Sequence, residues 1–180
     1  ANAFARPWPR ARRHAMPFPG FKPPLPRLAR RRKTALDSAG FVALKTYRGF
    51  PWSVAEYIDL AAQFEYLDFY SQLDCCNEPE VASDRQEVLM RCAYTARLYA
   101  ECRREAERRG IQPPMPVLQG FRLDDYARCI DMMPILDWPK LVGIGSVCRR
   151  PLTGPDGLEA ILDGLDRLLD PHVRLHAFGA

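Results

Sequence analysis

Five short apolar segments recur along this chain, and each ends beside polar or glycine residues. Amphipathic stretches of helical periodicity separate them, so that 26 to 45 residues lie between one segment end and the next. The segment ends are Asp37, Asp74, Gln119, Gly145 and Phe178. Apolar strands that alternate with helices are typical of a parallel sheet covered by helices. Because the pattern indicates neither an edge strand nor a reversed strand order, it favours an α/β fold of the TIM-type (β/α) barrel kind, with about five parallel strands, over a doubly wound sheet.

Helix signals mark the stretches between these segments. Ser53 with Glu56 three residues later is the pattern of a capping box at a helix start, and Gly110 is a helix stop. Further helices are predicted over Asp84–Arg109, Leu123–Met133 and Asp156–Leu169. We expect the arginines of the long helix at Asp84–Arg109 to face solvent. The predicted strands are Thr34–Leu36, Tyr66–Leu73, Pro116–Leu118, Lys140–Val147 and Val173–Phe178.

The chain is short for a complete barrel of this type. It has 180 residues, of which 47% are apolar, and this suffices for one domain with a core. A complete eight-stranded barrel typically needs about 250 residues. The chain begins at Ala1 rather than Met and ends directly after an apolar run. We therefore expect residues 34–180 to be the N-terminal part of a truncated barrel.

The net charge of +4 conceals an uneven distribution. Residues 1–33 contain ten Lys or Arg, seven Pro and no acidic residue, so they carry +10, whereas the remainder carries −6. We interpret residues 1–33 as an irregular basic arm. Such an arm can attract a polyanion, because Lys and Arg contacts to phosphate dominate sequence-independent nucleic-acid binding. A disordered leader without a ligand would have the same composition, so both interpretations stay open.

The cysteine pattern and the hydropathy indicate where the protein works. The six cysteines lack C-x-x-C spacing, and adjacent Cys75 and Cys76 suit neither a disulfide framework nor a standard zinc site. The sequence contains no stretch long enough to span a membrane and no apolar core of a signal peptide. We expect reduced thiols, a cytoplasmic protein without membrane contact, and no metal site in this chain.

Two carboxylates follow neighbouring predicted strands. Asp37 lies where the backbone must turn, a position suited to acid–base or nucleophilic chemistry, although an Asp before Ser and Gly also caps local N–H groups. Asp74 ends the second strand. Two carboxylates that share a desolvated pocket have pKa values pushed apart. This pair is therefore a candidate catalytic pocket.

The next two strand ends offer an amide and glycines. Gln119-Gly120 supplies a side-chain amide beside backbone that a flat ligand can approach, and Gly143 and Gly145 supply similar open backbone. Amide, carboxylate and open backbone are what the edge of a purine requires. Close packing of strand against helix is the alternative explanation of the glycines, and the glycines taken alone favour it. Arg149 and Arg150 follow as candidate phosphate ligands, with a solvated loop as the alternative.

Taken in order, these segments resemble the tRNA-guanine transglycosylase superfamily, most closely its DNA-modifying branch, the deazapurine-in-DNA protein A family. The resemblance covers about residues 25–180. It rests on five motifs that are specific only in combination: Leu36-Asp37-Ser38-Ala39-Gly40-Phe41, Gln72–Pro79, Pro116–Phe121, Val142–Arg150 and Leu175–Gly179. Ala39 replaces the first glycine of the superfamily's Asp-Ser-Gly-Gly-Phe turn.

The resemblance implies base exchange, in which guanine leaves DNA and a 7-deazaguanine derivative takes its place. The reaction is a double displacement at an anomeric carbon, as in retaining glycosidases. Asp37 is implied as the general acid/base. The implied substrate-binding residues are Ser38, Asp74, Gln119, Gly120, Gly143 and Gly145. DNA with a flipped or single-stranded target is the expected partner, together with the free deazaguanine base, and tRNA is the alternative acceptor.

The resemblance also implies a missing part. The superfamily's nucleophilic aspartate belongs to a strand after the one matched by Val173–Phe178, and the zinc site of the tRNA branch lies further on. We therefore expect the nucleophile and any zinc to lie beyond Ala180, no cofactor within this chain, and substrate binding without complete turnover. A catalytically inactive nucleic-acid-binding remnant and an unrelated barrel enzyme acting on a sugar or phosphate remain alternative hypotheses.

Overall fold

Helices and short strands alternate along the chain. The computed structural model describes residues 33–64, 67–82 and 84–179. The strands are β1 (Ala35–Leu36), β2 (Phe69–Tyr70), β3 (Val117–Leu118), β4 (Leu141–Ile144) and β5 (Arg174–Ala177). The helices are α1 (Gly40–Tyr47), α2 (Val54–Ala62), α3 (Arg85–Arg109), α4 (Leu123–Met132) and α5 (Leu158–Leu168). Apart from its last residue, the predicted basic arm lies outside the described residues, so its interpretation stays a prediction.

All the strand pairs are parallel. β1 pairs with β2, and β3, β4 and β5 form a three-stranded sheet in that order. A parallel bridge between Ser71 and Met115 connects the two sheets, with Met115 N–H donating to Tyr70 O at 2.8 Å. The strands therefore neighbour one another in chain order. The predicted mixed α/β fold with parallel strands is confirmed, but the described residues do not form a closed barrel.

The strands are shorter than the sequence predicts, because side chains and a turn interrupt the ladder. The Gln72 Oε1 accepts from Val117 N–H at 3.0 Å, and its Nε2 donates to Thr95 O at 2.8 Å. A side chain thus takes the place of strand pairing between β2 and β3. β4 ends at Ile144 because Ser146 adopts a left-handed backbone with φ of 58°.

The helices cover one face of the three-stranded sheet. Leu118, Val142 and Ile144 are fully buried in one apolar cluster with residues of α4 and α5. The members that α4 and α5 contribute include Tyr126, Cys129, Ile161 and Leu165. A second cluster beside β1 and β2 contains residues of α2 and α3. Since strand residues alternate in direction, the neighbouring positions Val117, Gly143 and His176 lie on the opposite face and in register with one another.

The helix boundaries follow the predicted caps closely. Ser53 and Glu56 form the predicted capping box at the start of α2, and Gly110 ends α3 with φ of 66°. The expectation that the α3 arginines face solvent is wrong for Arg91. This side chain is buried, donates to Cys76 O at 2.7 Å and pairs with Glu87. Arg91 therefore fixes the segment that follows Asp74.

Within the described ranges, no helix combines the length and the apolar character needed to cross a membrane.

Candidate functional site

The turn after β1 is built around a close approach to Asp74. Ala39 adopts a left-handed backbone with φ of 57°, and α1 begins at the next residue. A Cβ at Gly40 would lie 2.5 Å from the backbone oxygen of Asp74, so only glycine fits there. Ser38 N–H donates to Ser71 Oγ at 2.9 Å. These contacts hold the first turn against the end of β2.

Three of the predicted site residues meet at the Asp74 carboxyl group. Asp74 is buried, with 7% of its surface exposed. Ser38 Oγ donates to Asp74 Oδ1 at 2.5 Å, and Gln119 Nε2 donates to Asp74 Oδ2. The segments that follow β1, β2 and β3 thus bring a hydroxyl, a carboxyl and an amide together. We call Ser38, Asp74, Gln119 and Ser146 (described below) the Asp74 cluster.

Burial dominates the electrostatics of this cluster. It raises the pKa of the Asp74 carboxyl from an ordinary value of 3.8 to about 7. The bonds donated by Ser38 and Gln119 lower the pKa, whereas the charges of Asp37 and Glu78 raise it. Asp74 can therefore exist as a carboxylate or as a carboxylic acid near neutral pH. The carboxylate only accepts hydrogen bonds, whereas the carboxylic acid can also donate one.

Asp37 occupies a different environment from Asp74. It lies on the solvent-exposed side of the turn. Desolvation by the surrounding protein raises the pKa of its carboxyl, and N–H groups of Ser38 and Ala39 and nearby His176 lower that pKa. The structure thus places the accessible Asp37 close enough to the buried Asp74 for the charge of Asp37 to raise the pKa of Asp74. A catalytic pocket shared by the two carboxyl groups stays a prediction.

Gln119 is oriented from both ends of its amide. Its Oε1 accepts from Ser146 Oγ at 2.6 Å, while its Nε2 donates to Asp74. A Cβ at Gly145 would lie 2.1 Å from Nε2, so the amide lies against the bare backbone of that residue. Because the oxygen and the nitrogen of the amide have different partners, the Gln119 side chain is held in one orientation.

Ser146 and Glu78 are site residues that the sequence analysis missed. Ser146 Oγ accepts from Asn77 N–H at 2.6 Å and lies 3.3 Å from Glu78 Oε2. A hydroxyl has one proton, so Ser146 cannot donate to Gln119 and Glu78 at once, and the shorter contact is the one to Gln119. The available signal for these two residues was their position inside the motifs Gln72–Pro79 and Val142–Arg150, close to Asp74 and Gly145.

The remaining predicted glycines lie in packed surroundings. A Cβ at Gly120 would meet Tyr126 N at 2.8 Å, and one at Gly143 would meet the Phe178 ring at 2.6 Å. Gly120 therefore allows α4 to approach the end of β3, in agreement with the close packing of strand against helix that the sequence offers as the alternative. A role for Gly120 or Gly143 in substrate binding stays a prediction.

The two predicted phosphate ligands differ in their surroundings. Arg149 is exposed and pairs with Glu80 at 2.5 Å. Arg150 donates to three backbone oxygens, those of Phe121, Asp156 and Ser146, at 2.6 to 3.0 Å. Arg150 thus braces the loop around the Asp74 cluster, and Arg149 is the more available cation. Phosphate binding by either side chain stays a prediction.

His176 on β5 contacts two aromatic rings on the face opposite to the helices. Its centroid lies 5.2 Å from that of Phe69 and 4.8 Å from that of Phe178, both in edge-on geometry. All six cysteines are free thiols, and five of them are buried. Among the described residues, no group of three or more His, Cys, Asp or Glu side chains is arranged to hold a metal ion.

These observations define an α/β protein with parallel strands and a buried carboxyl–amide–hydroxyl cluster after the strand ends. A protein-family model described as DpdA: DeoxyPurine in DNA protein A matches residues 18–180. The match covers most of the chain, and the chain therefore belongs to this family. The resemblance expected from the five motifs is confirmed. A comparison with curated proteins finds no match.

Proposed function

We propose that this chain belongs to a transglycosylase-like enzyme that exchanges guanine in DNA for a 7-deazaguanine derivative. The Asp74 cluster is the observation that carries the proposal, because it brings a carboxyl group and an oriented amide together at one buried polar site. Membership of a family named for deoxypurine in DNA supports DNA as the substrate.

The polar groups of the cluster suit the edge that guanine and 7-deazaguanine share. That edge has two adjacent N–H donors, on N1 and the exocyclic amine, and a carbonyl oxygen at position 6. An ionised Asp74 accepts from the two donors, since a carboxylate has acceptor sites beyond those used by Ser38 and Gln119. The Gln119 amide donates to the carbonyl oxygen. Replacing N7 by carbon leaves this edge unchanged, so one pocket accepts both the leaving and the entering base.

We assign the proton transfers to Asp37. Its carboxyl is accessible, its pKa is raised by desolvation, and it lies beside the pocket rather than within the hydrogen-bonded cluster. A carboxyl with a raised pKa can protonate a leaving base and remove a proton from an entering one. No residue of this chain is assigned as the nucleophile, which the superfamily resemblance places on a strand after β5.

We also propose that the five strands belong to a TIM-type barrel formed in part by residues 34–180. Their parallel pairing in chain order supports this. So does the contact between Phe69 on β2 and His176 on β5, because three steps in a flat sheet would separate them by about 14 Å, whereas the ring centroids lie 5.2 Å apart. A curved sheet with polar groups after the strand ends is the usual active-site arrangement of such barrels.

Binding of the free base tests the proposed pocket directly. We expect isothermal titration calorimetry to detect 7-deazaguanine binding to the chain and no comparable binding of 7-deazaadenine, whose edge reverses the donor and acceptor pattern. Asp74→Asn and Gln119→Ala should each weaken binding about tenfold or more. The exposed Glu101→Gln variant on α3 is the matched control and should bind as the wild type does.

Exchange is tested with the full-length gene product, because we expect this chain alone to bind substrate without complete turnover. The measurement is incorporation of labelled 7-deazaguanine into DNA, with tRNA as a parallel acceptor. Asp37→Asn should abolish any incorporation while leaving base binding within a factor of about three, because Asp37 is assigned to proton transfer rather than recognition. Equal binding of 7-deazaguanine and 7-deazaadenine would contradict the recognition proposal and favour the unrelated barrel enzyme. Preferred incorporation into tRNA would contradict DNA as the acceptor.

A further inference from the structure

Two cations from separate parts of the chain converge on one carboxylate at the protein surface. Arg149, after β4, lies with Nη1 at 2.5 Å from Glu80 Oε1, and Lys45 of α1 lies with Nζ at 3.4 Å from Glu80 Oε2. Each oxygen of Glu80 thus has its own cation. The partners are 69 and 35 residues away from Glu80 in sequence, so the fold brings them together.

This charged group lies around Phe41, and the residue before Phe41 contacts the Asp74 cluster. Lys45 Nζ and Arg149 Cζ lie 5.2 and 5.5 Å from the centroid of the Phe41 ring. Phe41 follows Gly40, whose Cβ position would be 3.4 Å from both Asp74 Oδ1 and Ser38 Oγ. The two cations and the Asp74 cluster therefore lie on either side of Gly40 and Phe41, the first two residues of α1.

The ion pairs at Glu80 are easily displaced. The side chains of Lys45, Glu80 and Arg149 are 53%, 42% and 58% exposed, and ion pairs at such exposed positions contribute little to stability. A phosphodiester offers two non-bridging oxygens to its ligands, just as a carboxylate offers two oxygens. Arg and Lys bind both groups through charge-assisted hydrogen bonds.

We propose that Lys45 and Arg149 form a phosphate-binding site for the DNA strand whose guanine enters the pocket, and that Glu80 occupies this site until DNA displaces it. The inference rests on the proposed function, since it takes DNA as the substrate. It adds Lys45 as a phosphate ligand and Glu80 as a competitor carried by the protein itself. Glu80 lowers the affinity for DNA and keeps the two cations from holding other anions.

Fluorescence anisotropy with a labelled single-stranded DNA containing guanine, over a range of salt concentrations, tests the site. We expect Glu80→Gln to tighten DNA binding about two- to fivefold, because it removes the competing charge. Lys45→Gln and Arg149→Gln should each weaken binding and reduce the slope of log affinity against log salt by about 0.7. Glu101→Gln and Arg97→Gln, from an exposed ion pair on α3, make the same charge changes elsewhere and are the controls.

The outcomes separate this inference from the proposed function. Equal effects of Glu80→Gln and Glu101→Gln on DNA affinity would show a general charge effect and overturn the phosphate site, even if 7-deazaguanine still binds. Unchanged salt slopes in Lys45→Gln and Arg149→Gln would overturn it too. Loss of 7-deazaguanine recognition with these DNA effects intact would instead contradict the proposed base pocket alone. A wild-type chain that binds no DNA at low salt would contradict both.

Discussion

The Ser38 hydroxyl lies 2.5 Å from Asp74 Oδ1, although 36 residues separate the two in sequence. The contact joins the turn after β1 to the end of β2 and gives a buried carboxyl one of its two hydrogen-bond donors. Because that bond favours the ionised form of Asp74, Ser38 controls both the charge and the position of the carboxyl group.

Ser38→Ala should raise the pKa of Asp74 further and cost about 1.5 to 3 kcal/mol of stability, the usual range for a hydrogen bond to a charged group. The carboxyl carbon shift of Asp74, followed by NMR over pH, measures the pKa. Ser53→Ala removes the helix cap of α2, which is not among the groups that shift the pKa of Asp74, and should cost about 1 kcal/mol without moving the pKa. A Ser38→Ala variant with an unchanged Asp74 titration would contradict the assigned role.

The stability of the protein should fall with rising pH between about 4 and about 8 because of Asp74. Burial raises the pKa of this carboxyl from 3.8 to about 7, so in that window the folded state binds more protons than the unfolded state. The full difference corresponds to on the order of 4 kcal/mol. Urea unfolding at several pH values should show this fall for the wild type and a flatter profile for Asp74→Asn.

Asp59→Asn is the control for that pH profile. Arg109 lowers the pKa of the exposed Asp59 carboxyl through a hydrogen bond, so Asp59 stabilises the fold above its ordinary pKa and loses this contribution as the pH falls. The variant should leave the profile above pH of about 4 unchanged. Identical pH profiles for Asp74→Asn and Asp59→Asn would contradict the buried, protonatable state of Asp74.

Ala39→Gly should stabilise the protein by about 0.5 to 1 kcal/mol. Ala39 has φ of 57°, and this left-handed conformation costs a residue with a Cβ roughly 1 to 2 kcal/mol. Glycine avoids this cost but loses more chain entropy on folding, so the net gain in stability is smaller. The urea midpoint measures the change. Ala55→Gly within α2 should destabilise the protein by about 1 kcal/mol instead, and destabilisation by both variants would contradict the left-handed turn.

Gly145→Ala should abolish 7-deazaguanine binding while leaving the protein folded. The new methyl group would lie 2.1 Å from Gln119 Nε2 and would push the amide away from Asp74. Calorimetric titration and circular dichroism measure the two properties. Gly110→Ala, at a left-handed helix end with open space around it, should lower stability by about 1 kcal/mol without affecting binding. Retained binding in Gly145→Ala would show that Gln119 does not recognise the base.

The start of α2 and the end of α3 follow from local signals, which is why the sequence predicts them well. Gly110, Ser53 and Glu56 act through neighbours within four residues. The apolar segments also place Asp74 and Gln119 after successive strands. These features need no knowledge of distant contacts.

Other features depend on partners far away in sequence. Gln72 replaces strand pairing through Val117, 45 residues on, and Ser146 meets Asn77 and Glu78 across 69 and 68 residues. Arg91 lies on the same helix face as Val88 and Cys92, but the backbone oxygen that accepts its hydrogen bond belongs to Cys76, 15 residues away. Strand lengths and the full membership of the Asp74 cluster therefore could not be predicted from local pattern.

The long-range contacts of the Asp74 cluster have a consequence for how the protein folds. Its members meet across 36, 45 and 27 residues, and such non-local contacts form only after much loop-closure entropy has been lost. A single helix or strand pair cannot assemble them. The titration of Asp74 near pH 7 therefore serves as an internal probe of folding. The raised pKa of this carboxyl requires its burial, and the segments that carry Ser38, Asp74 and Gln119 must first reach their final positions.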